Sequence, residues 1–498
     1  MRRCSEPWML VAVVVVTFAA VLGPMLLVTA HHQSTVSERI TSLPRQPMVA
    51  SFGQFGGYVT VDEKEGRALF YYFVEAESQA ASKPLVLWLN GDTLAGCSSV
   101  GGGAFIEHGP FKVDGETLVK NEYSWNTEAN MLYVESPAGV GFSYSTNKSF
   151  YLNINDVISA RDNLVFLQHW FEKFPQYKKR AFYIVGEAYA GGHYVPQLAQ
   201  LIVSSKLKIN LKGIAIGNPL LDIQIDANAL DDYWWSHGVI SDAGYNLLTA
   251  VCNASRLVTE GITKSLSPAC ISVATHLSKE LSPAIDYFNV AAGDACPSAN
   301  ASRSGDFDRD DPLRSSLYQA LFFGLPQSDT DRNSGQAGRG DRDACAGEYV
   351  TEYLNRQDVQ KALHAKLVGF PRWSLCRSMK EWKYDLRNRL VPTTDFVRAL
   401  VKSKIRVLVY SGDQDSALPF IGSRKLLDSL AKSLDLHPTA PYRAWFADKK
   451  VGGWTQEYGN FLSFAIVRGA SQRTSQTQPK RSLILLKSFL AAKSLPQS

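Results

Sequence analysis

The sequence predicts an α/β fold, a mostly parallel central sheet flanked by helices on both faces and broken by a helical insertion. Three observations predict it. Short, almost wholly apolar runs bounded by Pro or Gly recur along the chain, helical patterns lie between them, and the alternation stops near Asp222 and resumes after Tyr349. The 498 residues, 45% hydrophobic and 20% charged, describe a large folded protein rather than a disordered chain or a small disulfide-stapled scaffold. A balance of 52 basic to 47 acidic residues is too slight and too evenly spread to indicate nucleic acid.

At the start of the chain, Arg2 and Arg3 precede an apolar run from Trp8 to Ala30 that ends in Val28-Thr29-Ala30. Residues 1–30 are therefore expected to be a cleaved signal peptide leading into the secretory pathway. An uncleaved anchor is the alternative, although Gly23 and Pro24 interrupt the run. No later segment is apolar for long enough to span a bilayer, so no membrane association is expected after cleavage. Buried strands are expected at 84–90 (PLVLWLN), 131–134, 181–185, 214–216, 405–410 and 464–467. The clearest helix carries Val157, Ala160, Leu164, Leu167 and Phe171, with Asp156 as its expected cap and Pro175 as its stop. The core thus falls in two parts, 31–222 and 346–498, around an insertion at 223–345 that ends in a loose loop at 302–343. The acidic stretch 306–311 lacks the ligand spacing and glycine of a calcium loop.

Beyond Cys4 in the leader, six cysteines remain, an even number suited to an oxidising compartment: Cys97, Cys252, Cys270, Cys296, Cys345 and Cys376. Sequence alone leaves all their pairings open, and no metal-ligand spacing occurs among them, so neither a metal nor a cofactor is expected. Sequons at Asn147, Asn253 and Asn300 offer glycosylation sites in that compartment.

The segment that points to chemistry follows the strand at 181–185. Gly186-Glu187-Ala188-Tyr189-Ala190-Gly191 leads straight into a helical pattern with Tyr194, Leu198, Leu201 and Ile202. In α/β-hydrolases such a strand–turn–helix junction is the nucleophile elbow, whose small residues permit a strained turn that lifts the nucleophile clear of the sheet. Here the elbow position is Ala188, which has no nucleophile. The surrounding motifs resemble those of the serine carboxypeptidases, especially the plant serine carboxypeptidase-like proteins, over nearly the whole chain past the leader. They are Gly53-Gln54-Phe55-Gly56-Gly57-Tyr58-Val59, Trp88-Leu89-Asn90-Gly91 with Gly96-Cys97-Ser98-Ser99, and Glu135-Ser136-Pro137-Ala138-Gly139, followed by Gly217-Asn218-Pro219 and Ser411-Gly412-Asp413-Gln414-Asp415.

The resemblance implies an α/β-hydrolase fold and release of C-terminal residues from peptides through a Ser-Asp-His triad. Carried over, the triad falls on Ala188, Asp415 and Gln472, so only the aspartate is present. Of the other candidates, His437 is the one histidine after Asp415 and lies in an apparent loop, while His193 and His237 read as packing or hydrogen-bonding residues. Ser143 is not in an elbow setting. The oxyanion turn of the family is also altered, because 92–95 lengthen it and Asp92 brings a carboxylate where a glycine is usual.

The substrate half is better kept. By resemblance, Asn90 and Glu187 would receive a peptide's terminal carboxylate, with Gly91 and Tyr189 beside them. A protonated Glu187 would share a hydrogen with that carboxylate at low pH. The resemblance also implies disulfides Cys97–Cys376, Cys252–Cys270 and Cys296–Cys345, an insertion that helps to cover the site and can be excised, and an extracellular or vacuolar destination. The expected function is that of a catalytically inactive carboxypeptidase homologue, with peptide C-termini or other proteins as partners and room for a homodimer. Two alternatives stand beside it. One is an active carboxypeptidase whose motifs are altered in this sequence. The other is a family acyltransferase, against which Glu187 counts because those relatives tend to carry Asp at this position.

Overall fold

The structure is a computed structural model, described here for residues 37–47, 50–91, 96–282, 285–291, 345–377 and 382–498. The leader, Asn300, Cys296 and the loop at 302–343 therefore lie outside the described residues, as do positions 92–95. Its strands are β1 (Gln54–Asp62), β2 (Arg67–Val74), β3 (Leu85–Leu89), β4 (Phe111–Asp114), β5 (Thr117–Lys120), β6 (Asn130–Val134), β7 (Tyr144–Ser145), β8 (Phe182–Glu187), β9 (Leu211–Gly217), β10 (Arg406–Gly412), β11 (Pro438–Ala447), β12 (Lys450–Tyr458) and β13 (Leu462–Val467). All but β4 and β5 join one sheet in the order β1-β2-β6-β3-β8-β9-β10-β13-β12-β11, with β7 paired to β2. The six strands from β6 to β13 are parallel to one another, and antiparallel pairs extend both edges. This is the mostly parallel sheet expected from the apolar runs.

Alternation along each strand divides the core in two. Leu85, Leu87 and Leu89 of β3 pack on one face with Phe166, Leu167 and Trp170 of α1 (Asp156–Lys173) and with Leu198 and Ile202 of α2 (Val195–Ser204). Val86 and Trp88 point to the other face, against Val350 and Tyr353 of α3 (Ala346–Leu354) and Leu485, Leu486 and Phe489 of α4 (Pro479–Leu490). Both faces being buried explains why the parallel strands read as continuous apolar runs instead of alternating ones.

The cap of α1 differs from expectation. Asn155, not Asp156, is the N-cap, its side-chain oxygen accepting from the Ile158 N–H at 3.0 Å. Asp156 is buried and serves the core. It accepts from Tyr189 Oη at 2.7 Å, Gln197 Nε2 at 2.7 Å and Tyr384 Oη, and it holds His193 Nδ1 at 2.8 Å. Burial pushes the Asp156 carboxyl up, but the hydrogen bonds from His193, Tyr384 and Tyr189 outweigh that and hold it below the usual range.

Between β9 and α3, the described part of the chain forms helices at Ile223–Asp226, Ala229–Ser236, Asp242–Ala250, Ala254–Ile262 and Pro268–Glu280. Cys252 and Cys270 are bridged within them, and Cys97 is bridged to Cys376 across 279 residues of sequence, both as the resemblance implied. Asn147 and Asn253 are exposed, as glycosylation would need. Among the described residues, no helix is long and apolar enough to cross a membrane.

Candidate active site

Chain direction places the site, because every parallel strand ends at the same edge of the sheet. Asn90 follows β3, Glu135 follows β6, Glu187 ends β8, Asn218 follows β9, Asp415 lies three residues past β10, and Gln472 follows β13. Loops at the carboxyl ends of parallel strands are where an open α/β sheet leaves a crevice for ligands.

The elbow has the expected geometry. Ala188 adopts φ +51°, a left-handed conformation that a residue with a Cβ takes only at a steric cost. Its methyl group is buried at 1% exposure. The loop after β3 comes close against it, so that a Cβ on Gly91 would lie 2.4 Å from the Ala190 backbone nitrogen. A π-helical turn at Ala190–Tyr194 connects the elbow to α2. Wider i→i+5 turns accommodate an extra residue without breaking a helix. Gly192 lies within this turn.

Asp415 is fully buried. Its Oδ1 accepts from the Ala417 N–H at 2.8 Å and the Leu418 N–H at 3.1 Å, and the Asn218 side chain lies beside the carboxylate. Burial pushes its carboxyl up to about 7 against the pull of those two backbone donors. Gln472 is buried too, and its Nε2 is without a hydrogen-bond partner. The link that orients the base in a Ser-His-Asp triad is therefore not made between these two side chains.

Asn90 is held through a chain of hydrogen bonds. Glu135 Oε1 accepts from Ser98 Oγ at 2.7 Å, Glu135 Oε2 accepts from the Ser99 N–H at 3.0 Å, and Ser99 Oγ accepts from the Asn90 N–H at 2.9 Å. Burial raises the Glu135 carboxyl to about 7. Glu187 is buried beside the Tyr410 hydroxyl, and burial, then the charges of Glu107 and Asp415, push it well above the usual carboxylate range. Tyr189 is placed differently from the other expected contacts. Its ring is fully buried, stacked on His193 at 4.2 Å, with its hydroxyl on Asp156.

Glu107, Arg473 and Ser475 belong to the same cluster and were not anticipated. Glu107 Oε2 accepts from Ser475 Oγ at 2.8 Å, Oε1 is unpartnered, and burial raises the carboxyl while the Arg473 charge lowers it. A stretch of the insertion crosses the cluster. Phe288 O accepts from the Gln472 N–H at 2.9 Å, Tyr287 O accepts from the Ser416 N–H at 2.9 Å, and the Val290 N–H donates to Gln414 O at 3.0 Å.

None of His193, His237 and His437 stands in for Gln472. His193 Nδ1 is on Asp156, His237 Nδ1 is on Tyr233 O at 2.9 Å, and His437 is 90% exposed in a loop. Ser143 Oγ donates to Glu135 O at 2.6 Å and accepts from the Phe70 N–H at 2.7 Å, a structural role.

Residues 44–492 match the family model for serine carboxypeptidases. The chain belongs to the serine carboxypeptidase family. It is 49% identical to serine carboxypeptidase-like 45 of Arabidopsis thaliana, over 97% of this chain and 98% of the relative. Serine carboxypeptidase-like 46 of the same plant is 49% identical over 93% of each. In three dimensions this family member is similar to the prohormone-processing carboxypeptidase Kex1 of Saccharomyces cerevisiae, with a TM-score of 0.68 and 19% identity over 92% of this chain and 95% of that one. The likeness is one of fold and agrees with the α/β-hydrolase architecture.

Proposed function

We propose that this serine carboxypeptidase homologue does not hydrolyse peptides and instead binds the C-termini of peptides or partner proteins, in the secretory pathway or beyond it. The observation that carries the reading is the pairing of a methyl group at the Ala188 elbow with a Gln472 amide whose Nε2 makes no hydrogen bond. A methyl group cannot attack a carbonyl. An uncharged amide neither takes a proton at neutral pH nor returns one to a leaving amine. Loss of triad members lowers turnover in subtilisin by about 10⁶.

The binding half is supported by Asn90, fixed by Ser99, and by Glu187, buried at the end of β8 beside the Tyr410 hydroxyl. With its carboxyl raised, Glu187 stays protonated at mildly acidic pH and can donate a hydrogen to a ligand carboxylate. A fluorophosphonate probe is expected not to label the purified protein. Calorimetry is expected to show a peptide with a free C-terminus binding about tenfold more tightly than its C-terminal amide, the difference made by one charge-assisted hydrogen bond. Stoichiometric labelling of any serine, or equal affinity for acid and amide, would overturn the reading.

A further inference from the structure

The opposite edge of the sheet carries a feature that the site does not use. No Asp or Glu occurs at 173–186, 188–221 or 396–412, the three stretches that contain β8, β9 and β10 with the segments leading into them. These strands are neighbours, with Phe182 opposite Leu211 and Arg406 opposite Gly213, and Asn210 Nδ2 donates to Lys179 O at 3.2 Å where two of the lead-ins meet. The fold thereby gathers Lys178 and Lys179 before β8, Lys206 and Lys208 before β9, and Lys402 and Lys404 before β10. All six are exposed. Charges that are spread out in sequence become one basic rim.

None of the six is ion-paired among the described residues. Lys212, exposed, and Arg180, half-buried, lie in the same stretches, while the other cations are engaged: Lys173 with Glu38 at 2.7 Å, Arg398 with Asp395, and Arg406 with Phe489 O at 2.6 Å and Tyr183 Oη at 2.8 Å. Glu75, close by, is occupied by the Tyr177 hydroxyl at 2.6 Å. Three adjacent strands span about 10 Å. That is close to the screening length of about 8 Å at physiological salt, so the six charges repel one another and together attract a polyanion.

We infer that this rim docks a linear acidic polysaccharide, with carboxylates along the polymer lying across the lysines. The side chains favour that partner over other polyanions. Lysine is a hydrated point charge suited to carboxylates spaced along a flexible chain, and lysines outnumber arginines at the rim, where Arg180 is half-buried. Phe174 and Tyr177 are buried, so among the described residues the lead-ins offer no aromatic face for nucleobases to stack on. Val203, at 38% exposure, is the one large apolar side chain these stretches expose, too little to anchor in a bilayer. Because the rim lies at the amino ends of the strands, docking leaves the Ala188 site open, and the inference does not rest on what that site binds.

The test uses the mature full-length chain and polygalacturonate as probe. Binding at low salt is expected to exceed binding to neutral dextran and to fall as salt rises. Because each exposed charge pair contributes only modestly, the fourfold Lys178→Gln, Lys179→Gln, Lys206→Gln, Lys208→Gln variant is expected to bind about tenfold more weakly. A charge-matched control, Lys148→Gln, Lys361→Gln, Lys425→Gln, Lys432→Gln, is expected to bind as the parent does. Three results would each overturn the inference. They are an equal loss in the control, no preference over dextran, or tighter binding to phosphatidylserine vesicles or duplex DNA than to polygalacturonate.

Discussion

At Ala188 the backbone keeps the turn of a nucleophile elbow without the nucleophile. A left-handed residue with a Cβ costs roughly 1–2 kcal/mol, and φ is +51° here. Ala188→Ser alone is expected to give little activity, since Gln472 still cannot take the serine's proton. Ala188→Ser with Gln472→His supplies both a nucleophile and a base for Asp415 to orient. Fluorophosphonate labelling followed by intact mass is expected to report the double variant and miss the single one. Glu187 sets the pH dependence of binding. Its raised carboxyl keeps a proton as pH rises past the ordinary range and then loses it, so affinity for a free C-terminus should fall with rising pH, and Glu187→Gln should flatten the profile in a titration series. The positions of Ala188, Asp415 and Gln472 were legible because each lies in a short motif. Glu107 was not, because its partner Ser475 is 368 residues away and nothing in the surrounding apolar stretch marks a buried carboxylate as functional.

Elements were read well where burial is two-sided and less well where two candidates of the same chemistry adjoin. The parallel strands announced themselves as apolar runs. Asn155 and Asp156 are both good capping types, and only the tertiary fold decides between them, by placing Tyr189, His193, Gln197 and Tyr384 around the aspartate. The two positions should respond differently in chemical denaturation. Asn155→Ala removes one cap and should cost about 1 kcal/mol. Asp156→Ala strands several buried donors and should cost about 3 kcal/mol or more. At the π-helical turn after the elbow, a Cβ on Gly192 would lie 1.8 Å from Leu220 O. Gly192→Ala therefore forces the turn off that loop and is expected to lower stability by about 1–3 kcal/mol.

Across the whole molecule, several carboxyls are buried in surroundings that favour their neutral form. Asp415, Glu135 and Asp226 are each pushed up to about 7, mainly by burial. The folded state then holds protons that the unfolded chain releases from about pH 4 upward. Stability from this source is complete below that pH and is lost as pH rises toward 7. Melting temperature measured across pH 4.5–7.5 is expected to fall with rising pH, and Asp415→Asn should reduce the slope. The layer plan of the fold was readable from sequence, whereas the gathering of lysines at one edge was not, since it depends on strand order. Strand order also governs how the chain is made. β9 ends at Gly217 and its sheet neighbour β10 begins at Arg406. During synthesis the first half of the sheet must therefore wait, with an apolar strand edge unpaired, while the whole insertion is translated. Non-local parallel pairing of this kind is slow and exposes aggregation-prone edges, so production of this protein should depend on chaperoning of the nascent chain through that interval.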